Sequence, residues 1–197
     1  RVARALAAHI PPDAAVIVAC SGGPDSLATL IAAARSRGPS QVTAAHFDHR
    51  LRPATEVAAE RELVQDVGTA LGIRVLHGRA AGVPTDRSEG PARAARYDWL
   101  ARACLEAAAA YCVTGHTLDD QAETVLLRLV RGTGIGGAAG MAVRSAWPVV
   151  LRPSSGEAPP PLLVRPLLGI TRIDIEAYLT AVDIVAEPAI RLGAAEA

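Results

Sequence analysis

The chain has 197 residues, half of them apolar, and its formal net charge is zero from 20 basic and 20 acidic side chains. That much apolar material excludes disorder and suffices for one domain with its own core; the neutral balance means that only a local patch can serve nucleic-acid binding. Every basic residue is arginine, which excludes a Lys-dependent phosphate loop, a Schiff base and a Lys general base.

In chain order, residues 2–9 read as a short helix stopped by Pro11-Pro12. The apolar run 14–20 reads as a buried strand, and residues 26–37 as a helix broken by Gly38-Pro39. Between them lies the turn Ser21-Gly22-Gly23-Pro24-Asp25-Ser26. Strand 42–47 ends in Asp48-His49, and a long helical pattern over 54–71 is closed by Gly72. A third strand spans 73–76, and Gly82 to Gly90 is a polar loop. Pro91 opens a helix to about Ala110, and 111–115 is a fourth strand. Thr117 or Asp119 caps a helix to about Val130. Arg131 to Gly140 carries five glycines. Strand-like stretches at 148–151 and 162–167 flank a Pro-rich connection, Thr171 caps a last helix to about Ala181, and Ile184-Val185-Ala186 reads as a final strand.

Strands alternating with helices imply an α/β fold, a parallel sheet of about five strands with helices on both faces. Ligands of such sheets bind beyond the carboxyl ends of the strands. Polar clusters recur there, after the first, second and fourth strands.

The turn from Ser21 to Ser26 is the first cluster. Its glycines permit a tight turn, the following helix start offers unpaired N–H groups, and Ser21 and Ser26 add hydroxyl donors. Asp25 would repel bare phosphate, so it belongs beside Mg²⁺ that phosphate also binds. An ordinary capped βα turn is the plainer alternative. The second cluster is His46-Phe47-Asp48-His49. Strand alternation puts His46 and Asp48 on one side and His49 on the other, which argues against a closed metal site and leaves hydrogen bonding near a nucleotide.

The densest cluster is His116 with Asp119, Asp120 and Glu123. Asp119 and Glu123, four apart, share a helix face; Asp120 and Glu123 are neighbours at three apart. Helix capping accounts for one or two acids, whereas the whole set suits Mg²⁺, a cationic substrate or proton removal. Arg93 and Arg96 form a stripe that can meet phosphate or surface acids equally well. Arg131 suits the carboxyl end of its helix and can also line a substrate channel.

Cys20, Cys104 and Cys112 are odd in number and widely separated, so they read as buried thiols. No apolar run reaches membrane-spanning length and no signal peptide is visible, so the chain reads as cytosolic. It opens on Arg1 rather than Met, as a trimmed start would.

Together these motifs resemble a known family. Ser21 to Ser26 is similar to the pyrophosphatase loop of the N-type ATP pyrophosphatases, the PP-loop superfamily. The stretch His46 to Arg52, Glu89 with Arg93, Arg96 and Tyr97, the block Gly115 to Thr124, Arg131 to Gly134 and Arg165 to Leu168 follow in the order of the tRNA(Ile)-lysidine synthetase family. The likeness runs from about residue 14 to 188. It implies a HUP-like, Rossmann-type catalytic domain over 1–188 and a tail at 189–197 where tRNA-binding domains are expected to be absent.

The implied reaction uses ATP and Mg²⁺ to adenylate the wobble cytidine of tRNA(Ile) with a CAU anticodon. Free L-lysine then displaces AMP. The resemblance implies that Ser21, Gly22, Gly23, Pro24, Asp25 and Ser26 hold pyrophosphate, with Asp25 placing Mg²⁺. His46 and Asp48 border the adenosine. His116, Asp119, Asp120 and Glu123 hold lysine and take its proton. Arg93, Arg96 and Arg131 neutralise phosphate. It allows a homodimer and implies no membrane. The alternatives are a 2-thiolating tRNA enzyme, disfavoured because the cysteines do not form a pair suited to sulfur transfer, and a small-molecule amidating ligase.

Overall fold

The computed structural model describes residues 1–82, 89–132, 139–148 and 161–182. Six helices and six strands are seen among them. They run α1 (Val2–Ala7), β1 (Val16–Ala19), α2 (Pro24–Arg37), β2 (Val42–Asp48), α3 (Ala54–Leu71), β3 (Arg74–Arg79), α4 (Glu89–Glu106), β4 (Tyr111–Thr114), α5 (Leu118–Val130), β5 (Arg144–Ser145), β6 (Leu162–Val164) and α6 (Arg172–Ala181).

The sheet order is β3-β2-β1-β4-β6-β5. Its pairs are parallel except β5–β6, which is antiparallel. The expected five parallel strands thus gain a sixth, reversed edge strand. Arg144–Ser145 is too short to show a period-two pattern, so the sequence carries no sign of it. The expected strand at 148–151 lies largely, and the one at 184–186 wholly, outside the described residues.

Strand alternation divides the core. Val16, Val18, Val42, Ala44, Val113 and Val164 pack with Leu6 of α1, Leu27 and Leu30 of α2, Val64 and Val67 of α3, and Ile175 of α6. Ile17, Ala45, Cys112 and Leu163 pack on the other face with Tyr97, Leu100 and Cys104 of α4 and with Trp147. The register agrees, since Ile17 pairs Cys112, and Val18 pairs both Val113 and Ala44. A sheet covered on both faces explains why these strands are apolar runs rather than alternating ones.

Helix boundaries follow local chemistry. Gly72 closes α3 in the left-handed conformation at φ +66°. Thr171 caps α6 by accepting from Asp174 N at 3.2 Å. Strand β1 stops at Ala19, and α2 starts at Pro24, two residues before the sequence reading places it.

The join of β4 to α2 leaves no room for a side chain. A Cβ on Gly115 would meet Asp25 C and O at 2.9 Å and Thr29 Oγ1 at 3.0 Å. The obstacle is backbone, which cannot swing aside. Gly115→Ala is therefore expected to destabilise the chain by about 1–3 kcal/mol, as overpacking does. Urea unfolding checks this as a lower midpoint at unchanged slope.

Candidate active site

The carboxyl ends of β1, β2 and β4 surround a cavity of about 220 Å³. β1 has β2 on one side and β4 on the other, so the cavity lies where the strand order reverses, the usual ligand crevice of such sheets.

The first wall is the loop after β1. Gly22 stands at φ +93°, a conformation natural to glycine. Ser26 Oγ donates to Gly23 O at 2.8 Å and accepts from Ser21 N at 3.2 Å. Cys20 Sγ donates to the same oxygen at 3.6 Å. The sequence reading counts both serines as anion donors. Both serines line the cavity; Ser21 is exposed there, and the buried Ser26 gives its proton to the loop. Helix α2 then begins with Gly23 as N-cap and Pro24 at its first position, and no side chain caps it. Its first-turn N–H groups and dipole remain for an anion.

Asp25 lies on the same wall. Its Oδ1 is buried and has no partner among the described residues. Burial, then the nearby Asp120, pushes its carboxyl above the usual range, with Asp119 and Glu176 adding and Arg172 opposing. A hard cation would supply the missing partner and relieve the repulsion, so Mg²⁺ fits this oxygen chemistry. Among the described residues no three His, Cys, Asp or Glu side chains group as a metal cage. Mg²⁺ commonly binds through one or two carboxylates plus phosphate, without such a cage.

The second wall comes from β2. His46 is 3% exposed, with Nδ1 at 3.1 Å from Cys20 O. That contact assigns the proton to Nδ1, so the buried and unpartnered Nε2 is a free acceptor. His49 shares this cavity and Asp48 does not. The alternation holds within the strand, since His46 and Asp48 line a second cavity together without His49. The strand ends at Asp48 and Arg50 takes φ +58°, so the period of two does not extend to His49, which joins His46 in the first cavity. Asp48 instead accepts from Arg50 N at 2.6 Å and pairs with Arg79 at 3.0 Å. The second cavity, of about 620 Å³, lies between α3 and strands β2 and β3.

The third wall joins β4, α4 and α5. His116 Nδ1 lies 2.8 Å from Thr114 Oγ1. Burial, then the Arg165 guanidinium, pulls its pKa down to about 4, so it is neutral at pH 7. Arg165 is 5% exposed at the end of β6, where it donates to Ala142 O and Ser145 Oγ. Arg96 reaches the cavity from above the Tyr97 ring. Arg93 lies over the same ring but is exposed and off the wall.

The acidic block separates. Asp120 lines the cavity and accepts from Thr117 N at 2.7 Å. Asp119 accepts from Arg172 N at 3.1 Å and so serves the start of α6. Glu123 is exposed on the next turn, and Arg131 is exposed at the carboxyl end of α5. The side chain of Glu89 lies outside the described residues. Arg52 and Glu60 also line the cavity, and sequence reasoning missed both. The Arg52 that closes the His46–Arg52 motif was an available sign; Glu60 gave none, being one acid among several on α3.

Cys20 is on the cavity wall, where burial pushes its thiol up. Cys104 of α4 is buried beside Cys112, and that thiol contact, then burial, raises it too. All three are free thiols. Among the described residues no helix is long and apolar enough to cross a membrane.

A family model described as a PP-loop domain, ATP_bind_3, matches residues 1–185. The tRNA(Ile)-lysidine synthase of a Bradyrhizobium species is 41% identical over 192 residues, covering 92% of this chain and 49% of the relative. That of Gloeobacter violaceus is 41% identical, covering 87% and 49%. That of Thermus thermophilus is 36% identical, covering 88% and 31%. The chain thus spans half or less of each of these relatives. Among solved structures, the U34-tRNA thiolase NcsA from Methanococcus maripaludis, with its [4Fe-4S] cluster, superposes with a TM-score of 0.70 at 15% identity, covering 93% of this chain and 63% of that one. Phosphoadenylyl-sulfate reductase from Candida auris, in a phosphate complex, gives 0.50 at 16% identity, covering 98% and 83%. At such identities these two show the fold alone.

Burial pulls His46, His49 and His77 below their ordinary values, in the same direction as His116. The unfolded chain therefore takes up protons first, and stability falls as pH drops from about 6.5 towards 4. Asp25 acts in the opposite sense, since a raised carboxyl loses stability as pH rises through its own range. For His116 alone the loss between pH 7 and 5 is about 2 kcal/mol. Urea midpoints at the two pH values are expected to differ less in His116→Gln than in the parent chain; equal differences would remove His116 from this account.

Proposed function

Since the chain belongs to the PP-loop domain family, we propose that it is the catalytic part of an ATP-dependent ligase that joins L-lysine to C2 of the wobble cytidine of tRNA(Ile), CAU anticodon. The observation that carries the ATP half is the uncapped start of α2 on the cavity wall, beside an unpaired buried oxygen of Asp25. An anion and a divalent ion together satisfy both. The lysidine half is supported by relatives of that name at 36–42% identity.

In this reading the C2 oxygen of cytidine attacks the α-phosphorus of ATP. The new O–P bond forms as the bond to the β-phosphate oxygen breaks, and pyrophosphate leaves. The loop Ser21–Ser26 and the amides of α2 hold that pyrophosphate. Asp25 would hold a Mg²⁺ ion, which would offset the charge on the phosphates. Arg96 meets the α-phosphate side, and His46 Nε2 borders the adenosine. The lysine ε-amine then attacks C2, the C–O bond breaks and AMP leaves.

The amine must first lose a proton, because an ammonium has no lone pair. Asp120 is the proposed acceptor, being the member of the acidic block on the wall. His116, neutral and hydrogen-bonded to Thr114, orients the amine and is too weak a base in the empty site to compete. Asp119 and Glu123 add negative charge outside the wall that favours a cation. Arg93 and Arg131, also exposed, suit tRNA phosphates. The reaction belongs in the cytoplasm, and a homodimer is part of the proposal, with sedimentation velocity as its check.

The test is AMP and pyrophosphate release from ATP with tRNA, lysine or glutamine supplied in turn. Dependence on tRNA and lysine together is the expected result. Release of ADP, or dependence on glutamine, overturns it. Asp120→Asn is expected to slow turnover by about 10²-fold or more, as loss of a general base does. Its unfolding free energy should fall by only about 1 kcal/mol, from the lost bond to Thr117 N.

A further inference from the structure

The cavity has a charge problem. Among the described residues its wall holds three carboxylates, Asp25, Glu60 and Asp120, against two guanidiniums, Arg52 and Arg96. A polyphosphate entering such a wall needs compensation beyond one divalent ion. The sequence contains no lysine to provide it. Arg96 reaches the wall from the α4 side, 5.0 Å from the Tyr97 ring centroid, away from the glycine turn.

Arg52 is on the loop side. Its Nη1 and Nη2 donate to the two oxygens of Glu60, both at 2.5 Å, in a fork-to-fork pair. Glu60 in turn leans on the loop, because a Cβ at Gly22 would meet Glu60 Cβ at 3.3 Å. The pair therefore sits at the glycine turn itself. A guanidinium has five N–H donors, and this pairing uses two, so three remain. The side chain is 54% exposed while Glu60 is 25% exposed, so those donors are open to a ligand and the carboxylate is the more sheltered partner.

The turn that delivers Arg52 is also built. Arg50 takes the left-handed conformation, and Asp48 accepts its N–H at 2.6 Å. Arg79 holds the second oxygen of Asp48 at 3.0 Å. This chain of contacts runs from the end of β2, around the strained residue, to a guanidinium fixed over the loop.

We propose that Arg52, presented by Glu60 over Gly22, is the polyphosphate-binding cation of the loop, in place of the lysine that this chain lacks. The proposal rests on reading the cavity as an ATP site. Glu60 is then a positioning residue, and Asp48 supports the turn from the second cavity rather than touching nucleotide.

The test is titration calorimetry on the whole chain with Mg·ATP, with pyrophosphate and with adenosine. Arg52→Gln is expected to weaken ATP and pyrophosphate by about tenfold or more, as loss of a charge-assisted bond does, and to leave adenosine unchanged. Arg52→Lys should fall between, since it keeps the charge and loses the fork. Glu60→Gln, which removes the clamp and keeps Arg52, should weaken pyrophosphate too. ATP affinity within twofold of the parent in Arg52→Gln makes the pair a plain surface contact and overturns the proposal. So does an equal loss for adenosine, which signals a collapsed site. Tighter pyrophosphate binding in Glu60→Gln overturns the presenting role. A parent chain that binds no ATP sinks the nucleotide reading itself, an outcome separate from all of these.

Discussion

The Ser26 hydroxyl holds the site in shape. It gives its proton to Gly23 O and receives the N–H of Ser21, so one side chain closes the turn that links β1 to α2. A closed turn is what lets α2 start without a side-chain cap and still have an ordered first turn. Unpaired amides held in fixed positions are a better anion site than flexible ones, because their ordering cost is met on folding. Gly115 completes the arrangement by letting β4 approach the first turn of α2 to contact distance.

The rest of the site follows from charge in a confined space. Without lysine, cationic character comes from arginines, each fixed by a partner: Arg52 by Glu60, Arg96 over Tyr97 and Arg165 by Ala142 O and Ser145 Oγ. Burial, then Arg165 with Arg96 adding, keeps His116 neutral, while burial and neighbouring acids raise Asp25. The empty site thus holds carboxyls that are easier to protonate than usual beside an imidazole that is harder to protonate. Both departures would ease once a triphosphate and a divalent ion entered, since the ion favours the ionised carboxylate and the phosphates favour the imidazolium. A site arranged in this way is set for its ligands rather than for itself.

Much of the fold was legible because its signals are local. The apolar run before Ser21, the glycine that closes α3, and Thr171 at the start of α6 are short-range patterns, and each appears where it was read. The candidate site was legible as a set of loops for a topological reason: parallel strands put their carboxyl ends on one side. Within those loops the reading was coarser. His46 and Asp48 share a cavity as the alternation has it, while His49 joins His46 in the first cavity because the strand stops at Asp48. Ser26 lines the cavity but spends its proton on Gly23 O, a contact that residue identity alone does not foretell. Arg52 and Glu60 went unnoticed because they are eight residues apart across a turn and a helix start, and nothing in their spacing predicts contact.

The sequence by itself determined the order of elements, the phosphate-friendly turn, the absence of lysine and the family resemblance, since each depends on residue identity or on neighbours a few positions away. Helical spacing determined that Asp119, Asp120 and Glu123 stand close on one helix. Only the tertiary structure decided that Asp120 turns to the cavity, that Asp119 holds the start of α6, and that Glu123 stays in solvent. Periodicity fixes which side chains share a face, whereas the hydrogen bonds of α5 to Ile170, to the start of α6 and to residues 140–141 fix where that face points.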